Sequence, residues 1–166
     1  MGFDEKQRLE APVVSGVTVD RDVIKVALEG LPARADTISE VFQLIASAGV
    51  NVDIIVHDKL VNSDQLKIGF TMNQSELDRI SGQFDIWRKR EGFANLKVFT
   101  EGRLAKVSTV GLGMQSHPGV ASKMFSVLTE MGIEIHMVST SEIKISCVIP
   151  EDCADKAAQS LHKAFI

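Results

Sequence analysis

The sequence predicts an α+β fold: two copies of a β-α-β-β-α-β unit, the first inserted in the second. Three observations carry this expectation. Residues 106–150 read as strand, helix and hairpin, with a further helix beginning near Glu151. The same order of elements recurs upstream, residue against residue. One strand then stands alone before the first copy, while the second copy ends one strand short.

Taken in order, residues 1–11 carry charge without apolar periodicity and read as a linker or N-terminal arm. Residues 13–20 read as a strand with Val17 and Val19 on one face, and residues 23–31 as another, closed by Gly30, Leu31 and Pro32. Asp36 or Thr37 is the expected N-cap of a helix. Ile38, Val41, Phe42 and Ile45 follow at i, i+3, i+4 and i+7, and Gly49 ends that helix. Val50, Val52 and Ile54 alternate with Asn51 and Asp53, as in a half-buried strand. A polar loop over 57–64 leads to a strand over 65–72. Residues 75–90 predict the longest helix, with Leu77, Ile80, Phe84 and Trp87 on its core side. Gly92 stops it, and residues 95–100 return as a strand.

In the second copy the strand opening at Lys106 ends in a glycine-rich turn. A helix over 122–131 follows, apolar at Met124, Phe125, Val127 and Leu128, and Gly132 ends it. Strands over 133–138 and 142–149 flank Ser139, Thr140 and Ser141, and a helix over 152–164 closes the chain. The two copies match at Lys25/Lys106, Gly30/Gly111, Phe42/Phe125, Gly49/Gly132 and Ile68/Ile145. Each copy has the split βαβ, ferredoxin-like order. The second lacks a fourth strand, so the unpaired strand 13–20 is expected to complete it, because a lone strand would leave a row of backbone groups unbonded.

Composition narrows the function classes. With 166 residues, 45% of them hydrophobic, the chain can bury a core in one domain or two small ones. A net charge of −4, and a pI near 5.6, argue against nucleic acid as a partner, as do scattered rather than clustered lysines and arginines. No apolar run approaches the ~20 residues needed to span a bilayer, and the polar start resembles neither a signal peptide nor an anchor. Two cysteines, Cys147 and Cys153, fit a reducing compartment. The chain reads as soluble and cytoplasmic.

No catalytic constellation emerges. Gly111, Gly113 and Ser116 imitate a dinucleotide fingerprint, but the third glycine is missing and a tight hairpin follows instead of a parallel crossover. The glycines better suit a turn presenting backbone N–H groups to a carboxylate at a helix start; a plain tight turn is the competing reading. Asp53, on the polar face of its strand beside Asn51, suits an ammonium group, and the two features together would hold an α-amino acid. Alone, Asn51 and Asp53 are more often just a solvated strand face. His57, His117, His136 and His162 lack metal-ligand spacing. Cys147 has no base beside it and reads as a small buried apolar residue. Ser139, Thr140 and Ser141 read as a hairpin turn whose hydroxyls would suit a ligand rim, and Phe84 and Trp87 as core.

From Leu9 to Phe165 the chain resembles the regulatory C-terminal half of aspartate kinase, built of two ACT domains. The most specific stretches are Val-Gly-Leu-Gly-Met-Gln-Ser-His-Pro-Gly-Val-Ala at 110–121, Val-Ser-Thr-Ser-Glu-Ile-Lys-Ile-Ser at 138–146 and Val-Asn-Val-Asp-Ile-Ile at 50–55. The resemblance implies a first ACT domain at 23–100, inserted in a second made of 12–22 plus 101–166. It also implies binding of lysine, threonine or both where ACT domains of two chains pair, with feedback inhibition of aspartate phosphorylation. The effector-binding positions that carry over are Arg34, Ala35, Asp36, Thr37, Ile38, Asn51, Val52, Asp53 and His57 in the first copy. In the second they are Gln115, Ser116, His117, Pro118, Gly119, Val120, Ala121, Ile133, Glu134, Ile135, Ser139 and Thr140.

Two positions depart from the pattern. Ala33-Arg34-Ala35-Asp36 stands where many relatives have Asp-x-Pro-Gly, and His57 stands where a glutamine is usual. The turn resembles the lysine-regulated branch, with Asp36, Asp53 or Asp58 available for the side-chain ammonium. The resemblance implies a kinase, transferring phosphate from ATP to the aspartate β-carboxylate, but the kinase motifs are absent from this segment. No cofactor is expected here; ATP and Mg would belong to a kinase domain or catalytic subunit. The segment reads either as an excised region or as a small subunit beginning near Met1, homodimeric through its ACT domains. The alternatives are a dimerisation-only ACT module, or the ACT module of another amino-acid biosynthetic enzyme.

Overall fold

The computed structural model describes residues 13–114 and 117–166. They form strands β1 (Val14–Pro32), β2 (Ile55–Lys59), β3 (Gln65–Asn73), β4 (Lys97–Gly111), β5 (Met137–Thr140) and β6 (Lys144–Pro150). The helices are α1 (Thr37–Ser47), α2 (Asp78–Ser81), α3 (Phe84–Trp87), α4 (Gly119–Glu130) and α5 (Ala154–Phe165). The chain divides into two compact units. Asp22–Leu104 is one, and Ala105–Ile166 with the described residues up to Arg21 is the other. Strands β1 and β4 each contribute to both. The linker expected over 1–11 lies outside the described residues.

In the unit of residues 22–104 the strands run in the order β2-β3-β1-β4. Alternation along β1 sends Ile24, Val26 and Leu28 inward, where they meet Leu66, Ile68 and Phe70 of β3. Val41 and Ile45 of α1 cover them, as the i, i+4 spacing requires. Trp87, Phe93 and Leu96 complete this core. β3 is antiparallel to both neighbours, with Val26 opposite Phe70 on one side and Ile55 opposite Phe70 on the other. The β1–β3 register shifts between Leu28 and Leu31. Gly30 lies in that bulge at φ 76°, where a Cβ would collide with the carbonyl oxygen of Asn95.

In the other unit the order is β1-β4-β6-β5. Val14, Val107, Ile145, Cys147 and Ile149 form the sheet side of its core, and Met124, Leu128, Ala157 and Leu161 the helix side. Ser15 donates its hydroxyl to the Val110 carbonyl at 3.2 Å, and Lys106 meets Asp20 at 3.2 Å. The strand segment 13–20 is thus laid against β4 of its own unit. Cys147 is fully buried, and that burial pushes its thiol up to about 12, which leaves it protonated and unreactive at neutral pH.

Several elements differ from the sequence expectation. The strands expected over 13–20 and 23–31 are one strand, and those at 95–100 and from Lys106 are another. Asp22 and Arg103, which lie in the gaps between those expected strands, adopt positive φ, 56° and 55°, within continuous strands. The long helix over 75–90 is instead a 3-10 turn, Gln74–Glu76, and two four-residue helices, α2 and α3. Gly82 lies between them, where its poor helix propensity favours a break. The strand expected from Val50 begins at Ile55 and runs through the supposed loop to Lys59, and that expected from Ile133 begins at Met137. Ser139 and Thr140 belong to β5, so the hairpin turn is residues 141–143.

Candidate functional site

The first-copy candidates fall into two groups fixed by different parts of the unit. After β1, the Pro32 carbonyl accepts from the Arg34 amide at 2.9 Å and from the Thr37 hydroxyl at 2.6 Å, which holds the turn closed and buries Thr37 completely. The Thr37 and Glu40 amides bond back to Arg34 and Asp36; those of Ile38 and Ser39 have no backbone acceptor among the described residues. Asp36 does not cap the helix. Its carboxylate lies 3.3 Å from Arg34, which also reaches Glu40 at 3.5 Å, and Glu40 is bonded to Arg90 at 2.6 Å. These half-exposed pairs each contribute little to stability, but they occupy the charges of the turn. Ala35 is exposed.

The second group, Asn51, Val52 and Asp53, is held by Thr71. The Asp53 amide donates to the Thr71 carbonyl, the Thr71 amide to the Ile54 carbonyl, and the Ile54 amide to the Thr71 hydroxyl, each at 3.0 Å. Asn51 and Asp53 are exposed, Val52 is half-buried, and His57 is exposed on β2 opposite Ile68. Thr71 was missed by the sequence reading; the one available signal is a hydroxyl inside the apolar run Phe70-Thr71-Met72. Thr71→Val is expected to lower stability by about 1–3 kcal/mol, because the buried Ile54 amide loses its acceptor. Denaturant titration checks the magnitude, and faster amide exchange at Asp53 and Ile54 checks the location.

The two groups lie at opposite ends of the unit. Pro32 is opposite Gln65 and Lys25 opposite Thr71, so the β1 positions that flank them are roughly 23 Å apart at about 3.3 Å per residue. Helix α1, with 11 residues, spans about 16 Å between its ends. A helix-start carboxylate site and an Asp53 ammonium site therefore do not converge within one copy of this unit.

The second unit repeats the division. At one end the Gly111 amide donates to Ile143 at 2.9 Å and Met114 to Glu142 at 3.1 Å, so the β5–β6 turn is fastened to the glycine-rich turn. His117 is part of that turn, its Nδ1 lying 2.9 Å from the Gly113 carbonyl and its own carbonyl accepting from Val120. Pro118 precedes α4, which opens at Gly119 with Val120 buried and Ala121 half-buried. Ser139 and Thr140, at the end of β5, adjoin the same turn. Gln115 and Ser116 lie outside the described residues. At the far end of α4, Ile133 is buried and bonds back to Leu128 at 3.0 Å, Glu134 is exposed and Ile135 half-buried. Among the described residues no cluster of side chains suits a metal ion, and no helix is long and apolar enough to cross a membrane.

Helices packed on antiparallel strands in both units define an α+β module. Residues 107–165 match the family described as ACT domain. Aspartokinase 2 of Bacillus subtilis is 39% identical over 153 residues, 92% of this chain and 36% of the relative, so the chain spans little more than a third of that protein. The ligand-free regulatory subunit of aspartate kinase from Thermus thermophilus superposes with TM-score 0.78 and 30% identity, covering 93% of this chain and 99% of that one. A chain in a structure of aspartokinase alpha and beta subunits gives TM-score 0.75 and 33% identity, covering 92% and 98%. The chain belongs to the family of aspartate kinase regulatory ACT regions.

Proposed function

We propose that this chain is the allosteric regulatory region of an aspartate kinase. On this proposal both units are ACT domains, 23–100 nested within 12–22 plus 101–166, and they bind an end-product amino acid, lysine before threonine, where ACT domains of two chains pair. The observation that supports it is the division of the candidate residues: helix start and acidic strand end lie too far apart in one copy, and a second copy aligned in reverse would bring them together. The β2 edge favours such pairing. All five of its residues are exposed, with Ile55 at 50% and Val56 at 47%, and an open edge of this kind is a template for another chain.

In that arrangement the free amides of Ile38 and Ser39 take the effector carboxylate, and Asp53 or Asp58 its ammonium groups. Asp36, 3.3 Å from Arg34, is a further candidate for the side-chain ammonium. Bound effector favours one arrangement of the dimer and so inhibits an associated kinase domain or catalytic subunit, by no more than its differential affinity for the two states. ATP, Mg and transfer to the aspartate β-carboxylate are assigned to that kinase part.

The ion pairs of Arg34 with Asp36 and Glu40 favour a second reading, dimerisation without effector binding in the first turn. Calorimetric titration with lysine and with threonine, alongside sedimentation, separates the two. Saturable lysine heat, lost on Asp53→Ala, is expected. A stable dimer that gives no heat with either amino acid at two temperatures would establish the dimerisation-only reading.

A further inference from the structure

One continuous run of chain holds the acidic end of the unit of residues 22–104. Thr71, near the end of β3, bonds the Asp53 and Ile54 amides from the sheet side. At Asn73 the run leaves β3; the Asn73 side chain accepts from the Ser75 amide at 2.9 Å and starts the 3-10 turn 74–76. That turn and α2 bring Glu76 and Arg79 back to the turn that ends α1. One Glu76 oxygen accepts from the Asn51 amide at 3.4 Å, and the other lies 3.1 Å from Arg79. Arg79 donates in turn to the Gly49 carbonyl at 2.6 Å. Residues 71–79 thus grip residues 49–54 at Gly49, Asn51, Asp53 and Ile54.

The end of α1 calls for both charges. Its last turn contains no basic side chain, and a helix C-terminus carries partial negative charge that a cation stabilises. Gly49, at φ 75°, turns the chain out of the helix, and the Gly49 and Val50 amides bond back to Ala46 and Ile45. The Gly49 carbonyl and the Asn51 amide receive Arg79 and Glu76 instead. Each of these bonds has an ionised partner, which makes it stronger than a neutral one. Glu76 is largely shielded, at 17% exposure, but Arg79 is half-exposed at 54%. Global stability therefore gains little from the pair. What it fixes is local, the path of the chain from Gly49 to Asp53.

We propose, on the effector reading of Asn51 and Asp53 given above, that Glu76 and Arg79 are positioning residues of the amino-acid site. They set the Asn51–Asp53 segment in place before an effector arrives. Neither touches the effector. Glu76 has one oxygen on Arg79 and the other on the Asn51 amide, so its charge is engaged within the clamp, and Asp53 keeps the role proposed above. A segment ordered in advance does not have to be ordered by the ligand, and that ordering would otherwise lower affinity.

The test compares Glu76→Ala and Arg79→Met with Arg88→Met in the full chain. Arg88 makes the same pair of bonds elsewhere in the unit, to the Leu96 carbonyl at 2.9 Å and to Asp85 at 2.5 Å, neither of them a candidate residue. Nitrogen-15 relaxation without ligand should show larger motion at the Asn51, Val52 and Asp53 amides in both clamp variants, and none of that increase in Arg88→Met. Calorimetric titration with L-lysine and with L-threonine should show binding about three- to tenfold weaker in Glu76→Ala and Arg79→Met, intermediate in Arg79→Lys and unchanged in Arg88→Met. Unchanged relaxation at residues 51–53 would overturn the proposal whether or not either amino acid binds. So would full affinity in both clamp variants, or an equal loss in Arg88→Met. No heat from the unmodified chain, with the change in motion present, would overturn the effector reading and support the clamp alone.

Discussion

Phe70→Ala is expected to lower stability by about 3–5 kcal/mol, the cost of emptying a large aromatic site in a packed core. Phe70 is completely buried at the middle of β3, opposite Val26 on one side and Ile55 on the other. It meets Phe42 of α1 edge-on at 6.2 Å, so one ring joins three strands to the helix. Backbone ladders on both sides hinder collapse around the vacated volume. The loss is a large share of the roughly 5–15 kcal/mol typical of a domain. The chain's one tryptophan, Trp87, is buried in the same core and 5.0 Å from Phe84. Its emission during urea unfolding reports this unit directly. A shift of less than about 1 kcal/mol would mean that the site repacks far better than a two-sided strand position should.

Gly111→Ala acts by collision instead of by cavity. A Cβ there would overlap the Val13 carbonyl oxygen and lie 2.7 Å from its carbon and 3.0 Å from the Val14 Cα. These are backbone atoms, which cannot rotate aside. The first residues of β1 would have to separate from β4, loosening the Ser15 bond to Val110. Overpacking a tight site typically costs about 1–3 kcal/mol and occasionally more, and the upper end is expected here. Gly16→Ala, with nothing within 4 Å, is the matched control and should change little. Thermal unfolding followed by circular dichroism compares the two; equal melting temperatures would show that the strands have slack at Gly111.

The repeat was legible because the same residue types recur at the same turns. Gly49 and Gly132 each end a helix at positive φ, 75° and 70°, a conformation that glycine adopts without strain. Gly30 and Gly111 also match in sequence, yet for unlike reasons: one adopts positive φ in a bulge, the other lets a neighbouring strand approach. Apolar spacing identified α1 and α4 but misread residues 75–90, since Leu77, Ile80, Phe84 and Trp87 face the core equally well from two short helices with a break between. Strand β2 was displaced because all five of its residues are exposed, so no alternation marks it. The candidate site was legible as a set of residues and not as an arrangement. Spacing along the chain placed Asp36 and Asp53 at the ends of neighbouring elements, while the length of α1 that separates them acquires meaning only in three dimensions. Thr71 gave almost no signal, because its role is to bond residues that lie 17 positions upstream.

The Ser15–Val110 bond joins residues 95 positions apart. On a ribosome adding about 5–20 residues per second, the N-terminal half of β1 waits roughly 5–20 s before the stretch of β4 beside it has been made. The unit of residues 22–104 is complete by then. Birth order therefore leaves one nascent strand without its partner while residues 22–104 are being made, and this interval is when chaperone capture or mispairing with another nascent chain would act.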